Sequence, residues 1–301
     1  MLDFQPIKPE NNELFWTYYE QFKNQNAENS FANLCCYSFL YQGEYCVIDD
    51  NLLTRIHFDY GKQLCYYMPL GNRDFKEVTQ MIIDDSIAKK YQLNFIIETP
   101  EIIENIFPQQ FDIISNRNMF DYLYLREDLQ FLKGKKYQPK RNHINQFVNQ
   151  YAYTFKEIHK EDREQCMQML SVWREQEMNI SPEYKRDYDD EKNVIEYFFK
   201  YFNELRMYGG AIMLDDKMIA FSLGSPINAD TFDTNIEKAD RNYMGAYAII
   251  NKEMAAHMPE NFKYINREED KGIMGLRQAK LSYKPLKLIE KYVATYKNNT
   301  L

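Results

Sequence analysis

The sequence predicts an α/β (α+β) protein made of two successive units with mixed, largely antiparallel sheets, and three observations predict it. The chain has 301 residues, about twice the ~150 residues of a common domain. Strand-like and helix-like segments follow one another in the same order in both halves: strand, helix, antiparallel strands, helix, strand, helix, strand. Between the halves lies Lys133-Gly134-Lys135-Lys136-Tyr137-Gln138-Pro139-Lys140-Arg141, with five cations and no acid. The expected division is therefore an N-terminal domain over residues 1–132, a basic joining helix over 133–151 and a C-terminal domain over 152–301.

Composition bounds the function. A hydrophobic fraction of 45% with 27% charged residues allows a sizeable core and excludes a disordered chain. A net charge of -8 argues against a general nucleic-acid or anionic-membrane coat, while leaving room for a local basic patch. No run of 18 apolar residues occurs, and Met1-Leu2-Asp3-Phe4-Gln5 lacks a secretory start, so a cytoplasmic protein without a transmembrane segment is expected. Cys35, Cys36, Cys46, Cys65 and Cys166 have no metal spacing, and Cys35-Cys36 reads as core. His57, His143, His159 and His257 are scattered, so no metal site is expected.

In the first half, Phe4 to Ile7 reads as a short strand. Asn12 to Lys23 has helical spacing, with Leu14, Phe15, Tyr18 and Phe22 on one face. Phe31 to Leu40 fits a strand or a buried helix. Glu44–Ile48, Leu52–Asp59 and Gln63–Met68 read as three antiparallel strands, parted by turns at Asp49-Asp50-Asn51 and Tyr60-Gly61-Lys62. Asp74 to Lys90 is a helix with Phe75, Val78, Met81, Ile82 and Ile87 as its stripe. A strand at Asn94–Glu98, a short helix at Glu101–Phe107 and a strand at Tyr122–Leu125 complete this half.

The joining segment carries unusual chemistry. It leads into a helix, Pro139 to Tyr151, with Pro139 suited to the first turn and Ile144, Phe147, Val148 and Tyr151 at buried spacing. Each cation in a first turn opposes the helix dipole by roughly 0.3–1 kcal/mol. Free N–H groups and positive side chains converge there, which suits an anion as well as a solvated linker.

In the second half, Tyr153–Ile158 is a strand and Glu161–Glu177 a helix with Cys166, Met169, Leu170 and Trp173 inward. Met178–Lys192 reads as a polar loop and Asn193–Leu205 as a helix. A hairpin follows, Gly210-Ala211-Ile212 and Ala220-Phe221-Ser222-Leu223 around Asp215-Asp216-Lys217. Asp230–Ala239 is a strand, which passes through Arg241-Asn242-Tyr243-Met244-Gly245-Ala246 into a helix ending near His257. A strand at Tyr264-Ile265-Asn266, the turn Arg267-Glu268-Glu269-Asp270 and a last helix close the pattern.

Several of these stretches resemble one family. Leu132–Tyr137 with Lys140–Phe147, Asn235–Ala239, Gly245-Ala246-Tyr247 with Ile250-Asn251, Tyr264–Asp270 and Gly275–Pro285 are similar, in order, to the family named after the C-terminal domain of phosphatidylglycerol lysyltransferase. The resemblance implies two tandem GNAT-like acyltransferase domains joined by a basic helix and related to the Fem-type transferases that use aminoacyl-tRNA. It implies acyl or aminoacyl transfer to an amine or hydroxyl acceptor, a small molecule, lipid or peptide, from acyl-CoA or aminoacyl-tRNA as co-substrate, with no tightly bound cofactor. The usual GNAT cofactor loop, Arg/Gln-x-x-Gly-x-Gly/Ala, is one residue longer here between Arg241 and Gly245.

Such chemistry needs donor and acceptor held together, a base for the acceptor's proton and a partner for the oxyanion. The implied base is Glu237, with Asp270 and Glu268 as alternatives, and Glu237 and Asp270 are expected in one pocket beside Gly245. Arg241, Gly245, Ala246, Lys135, Lys136, Lys140 and Arg141 are expected at the donor, with the N–H groups of Gly245-Ala246 facing phosphate or carbonyl oxygen. Asn266, Arg277, Lys280 and Tyr283 are expected at the acceptor. The alternative from another class is a non-catalytic GNAT-fold protein that binds a ligand or RNA.

Overall fold

The computed structural model describes residues 2–58, 63–178 and 185–297. In chain order the first elements are β1 (Gln5–Pro6), α1 (Asn12–Tyr19), α2 (Phe31–Cys36), α3 (Ser38–Tyr41), β2 (Glu44–Ile48), β3 (Asn51–Phe58) and β4 (Gln63–Tyr67). Then come α4 (Phe75–Lys89), β5 (Gln92–Ile97), α5 (Pro100–Ile106), β6 (Phe111–Ser115), β7 (Asp121–Leu125), α6 (Arg126–Phe131) and α7 (Gln138–Gln150). The remainder is β8 (Thr154–Glu157), α8 (Arg163–Met178), α9 (Lys185–Lys200), β9 (Tyr208–Leu214), β10 (Lys217–Pro226), β11 (Thr231–Ala239), α10 (Ala246–His257), β12 (Tyr264–Asn266), α11 (Met274–Ser282), β13 (Lys287–Ile289) and β14 (Tyr292–Tyr296).

The chain forms two compact units. One comprises Met1–Asp121, Glu269–Ile273 and Leu288–Leu301, and the other Tyr122–Glu268 and Met274–Lys287. These divisions differ from a cut at 132 and an unbroken domain over 152–301. Strand pairing is the reason: β7 pairs with β12 in the second unit, while the last strand, β14, inserts between β5 and β6 in the first.

The first unit holds a seven-stranded sheet in the order β1-β2-β3-β4-β5-β14-β6. Its neighbours are antiparallel except for the parallel pair β4 and β5. The turn between β2 and β3 uses left-handed backbone at Asp49 and Asp50, which short polar side chains tolerate. The turn expected at residues 60–62 lies outside the described residues. Phe31–Cys36 is helical: Ser30 caps it by accepting the Asn33 N–H, and all six of its residues are buried, including Cys35 and Cys36. Val78, Ile82 and Ile83 of α4 face the core with Tyr66, Leu93 and Phe95, whereas Ile87, expected in the stripe, is exposed.

The second unit has a sheet of the same kind, in the order β13-β7-β12-β11-β10-β9-β8. Here β11 and β12 are parallel, with register from Thr231↔Tyr264 to Asp233↔Asn266. β12 ends at Asn266, but β11 continues to Ala239, so the two strands part beyond Asp233. Because side chains alternate along a strand, Glu237 faces α10, where Asn251 reaches it. Lys238 faces α8 and α9, its ammonium 3.5 Å from the Trp173 ring centroid and 2.8 Å from Glu191. α9 starts at Lys185, inside the stretch expected as a loop, and Asp189, Asp190 and Glu191 near its start suit the helix dipole. Val194, Ile195, Phe198 and Phe199 bury its apolar stripe, and residues 179–184 lie outside the described residues.

Candidate functional site

Where β11 and β12 part, the chain sets charge into a buried place. Glu237 on β11 accepts a hydrogen bond from Arg267, just past β12, at 2.7 Å, and the two side chains are only 10% and 12% exposed. Asn251 of α10 donates to the other carboxylate oxygen at 3.4 Å. The guanidinium of Arg267 lies 5.1 Å from the Tyr283 ring centroid and 5.9 Å from that of Tyr124. Lys140, in the first turn of α7, places Nζ 3.9 Å from the same Tyr283 ring. Ser222 of β10 pairs in register with Glu237 and so shares its face of the sheet.

The electrostatics follow from burial. Desolvation, reinforced by Arg267 and opposed by Glu237, pulls the Lys140 amine down to about 8. Burial pushes the Tyr283 and Tyr124 phenols upward, against the pull of Arg267. Burial alone would ease the proton from Arg267, but Glu237, Tyr124 and Tyr283 hold it more firmly than usual. Three buried polar atoms around this carboxylate have no hydrogen-bond partner: Ser222 Oγ, Asn251 Oδ1 and Arg267 Nη1. A buried group left so costs about 1–3 kcal/mol, and interiors rarely keep several together.

The loop before α10 is organised otherwise than expected. Asp240 is buried and accepts from Gln176 Nε2 at 2.7 Å, from its own loop at Asn242 N–H at 3.0 Å, and from Lys217 at 3.4 Å. Burial would raise its carboxyl, yet these partners hold it below the usual carboxylate range. The Arg241 N–H donates to Gln176 Oε1 at 2.9 Å, and the Tyr243 N–H to Asp240 O at 3.1 Å. The Ala246 N–H, expected to face phosphate, donates to Tyr243 O at 3.0 Å. The Arg241 side chain, expected at the donor, is exposed and paired with Glu177.

Gly245 has a packing reason of its own. Its φ is +94°, and a Cβ there would lie 2.7 Å from His143 O and 3.0 Å from Phe147 Cβ, because α7 rests on this turn. Gly245→Ala is therefore expected to destabilise the protein by about 1–3 kcal/mol, combining left-handed backbone with a forced shift of α7. Urea unfolding measures it, and a loss below about 0.5 kcal/mol would show that α7 yields freely.

The other expected residues separate into those at the site and those that hold the chain. Tyr283 is at the site and buried. Lys280 is also buried, but its ammonium donates to the carbonyl oxygens of Arg267 at 2.5 Å and Glu268 at 3.2 Å. Arg141 donates to the carbonyl oxygens of Leu132 and Gly134 and so fastens the end of α6. Asn266 Oδ1 accepts the Glu268 N–H at 2.7 Å, shaping a turn in which Glu268 is left-handed. Lys135 and Lys136 are exposed, the latter 3.3 Å from Asp128, and Arg277 is half-buried on α11. Asp270 belongs to the first unit, where it is fully buried, faces Arg117 at 3.4 Å and accepts the Gly272 N–H at 2.9 Å. Arg267 and Asn251 lie in stretches that carry the family resemblance but were given no role from sequence, and Ser222 and Tyr124 were given none either. The one signal for Arg267 was its place directly after a strand that neighbours Glu237.

Two mixed sheets of seven strands make this a tandem GNAT-like fold. The family model described as phosphatidylglycerol lysyltransferase, C-terminal, matches residues 19–295, and the chain belongs to that family. A Bacteroides thetaiotaomicron protein of unknown function has a solved structure 38% identical, covering 99% of this chain and 100% of its own, with a TM-score of 0.91. The solved structure of L-PGS from Bacillus licheniformis shares the fold at 16% identity, over 99% of this chain and 94% of its own, with a TM-score of 0.66. An uncharacterised Mycoplasmoides gallisepticum protein is 26% identical over 182 residues, 60% of this chain and 57% of that protein. Among the described residues, no helix is long and apolar enough to cross a membrane, and no group of three or more His, Cys, Asp or Glu is placed to hold a metal ion.

Proposed function

We propose that this chain transfers an acyl or aminoacyl group from an activated donor to an amine or hydroxyl acceptor, with Glu237 at the centre of the reacting site. The observation that carries this is the gathering of unpartnered buried polar atoms, Ser222 Oγ, Asn251 Oδ1 and Arg267 Nη1, around one carboxylate where parallel strands part. Atoms left unpaired in a folded interior suit a ligand that completes them. Membership of a family named for a lysyltransferase favours an aminoacyl donor, and the exposed Lys135 and Lys136 ahead of α7 suit the backbone of a charged tRNA.

In this mechanism the acceptor's lone pair forms a new bond to the acyl carbon, and the bond from that carbon to the donor's leaving group breaks. The acceptor's proton passes to Glu237 and from there to the leaving group, so the carboxylate is restored. Asn251, already bonded to Glu237, keeps the carboxylate in place. The same role suits Asp270 less well, because it is fully buried in the first unit, whereas the Glu237 side chain keeps 10% exposure.

The test is a transfer screen with radiolabelled lysyl-tRNA, alanyl-tRNA and acetyl-CoA as donors. Acceptors are phosphatidylglycerol vesicles, short peptides and small amines, and products are separated by thin-layer chromatography. Label leaving an aminoacyl-tRNA for one acceptor class is expected. No transfer from any donor by folded protein would overturn the proposal and leave the alternative, a GNAT-fold binding protein.

A further inference from the structure

We propose that Lys140 and Arg267, set against the ring of Tyr283, form a binding site for an oxyanion, a carboxylate or phosphate group of the substrate. This rests on the transfer reading for the word substrate, and it adds a chemical feature that the substrate must carry.

Charge is the first ground. Glu237 supplies one negative charge at this site, while Arg267 and Lys140 supply two positive ones within 5.1 Å and 3.9 Å of one ring centroid. Glu237 takes one nitrogen of Arg267, and Nη1 stays buried without a partner. Among the described residues, no carboxylate lies within ion-pair distance of Lys140, whose ammonium faces the Tyr283 ring. Two mutually repelling cations held half-buried, one with an N–H unused, are completed by an anion.

The second ground is that the place where the fold class would suggest an anion in this unit is engaged by the unit's own residues. The N-terminus of α10 would offer N–H groups to phosphate, and the fold class suggests an acyl-CoA pyrophosphate there. Asp240 sits in that loop as a built-in anion, bonded to Gln176, Lys217 and the Asn242 N–H. The Tyr243 and Ala246 N–H groups are spent on carbonyl oxygens of the loop itself, and α7 packs against Gly245. A pyrophosphate does not fit these residues, whereas Lys140 and the Nη1 of Arg267 have no anionic partner.

The probes are inorganic phosphate and acetate, titrated into the full chain against chloride at constant ionic strength. One readout is the melting temperature. The other is the rate at which acetic anhydride acetylates Lys140, mapped by mass spectrometry with the exposed Lys160 as internal control. Bound anion is expected to protect Lys140 about fivefold at four times its dissociation constant, leaving Lys160 unprotected, and to raise the melting temperature saturably. K140M should abolish the thermal effect, and K160M should leave it intact. Tighter binding of acetate assigns the carboxylate source, and tighter binding of phosphate the phosphate source. Absent protection of Lys140, or a thermal effect that persists in K140M, overturns the site. Protection without transfer to any acceptor would retain the anion site and remove the transfer reading, whereas transfer without protection would remove the site alone.

Discussion

Arg267→Ala is expected to cost about 3–5 kcal/mol of stability, the range for removing one partner of a buried ion pair. The reason is what remains rather than what is lost. Glu237 would keep only Asn251, at 3.4 Å, in a place where its side chain is 10% exposed. Desolvation of the orphaned carboxylate then goes uncompensated. The rings of Tyr124 and Tyr283 would also lose the guanidinium they flank. Replacing both partners, Arg267→Met with Glu237→Leu, should recover most of the loss, because an apolar pair of similar volume carries no such penalty. Urea unfolding of the single and double variants decides it. A double variant no more stable than Arg267→Ala would mean that packing of the guanidinium, not its charge, supports the sheet.

Much of the second unit was legible because its signals are local. The β9–β10 hairpin closes at Asp215, which takes left-handed backbone as a short acid can. The entry to α10 was marked by Gly245, although the cause proved to be the close approach of α7. What could not be read is contact set by strand order. Arg267 reaches Glu237 across 30 residues because two strands far apart in sequence run parallel and then part. Tyr124 comes from β7, which crosses into the second sheet, and a boundary drawn at 132 hides that. Ser222 sits in an apolar run, and only its register opposite Glu237 gives it meaning.

Long cations are the side chains whose contacts sequence shows least. Arg141 and Lys280 looked like ligand contacts, yet both spend their N–H groups on backbone carbonyl oxygens, 9 and 13 residues away in the case of Leu132 and Arg267. A side chain of that length finds the end of a helix or a turn as readily as a substrate. Lys140 is the reverse case. Its charge was plain, but its neighbours were not, and they make it a half-buried amine beside a second cation.

Glu237→Gln is expected to lower the transfer rate by about 10²–10⁴-fold, the usual contribution of a positioned proton acceptor. The amide keeps the shape of the carboxylate and can still meet Arg267, so the fold should survive better than in Arg267→Ala. Measured in the transfer screen with the best donor and acceptor pair, the loss should fall on kcat, because the proton moves only in the reacting complex. A variant that keeps the wild-type kcat while its KM rises would make Glu237 a binding residue for a cationic acceptor. The base would then have to be sought elsewhere.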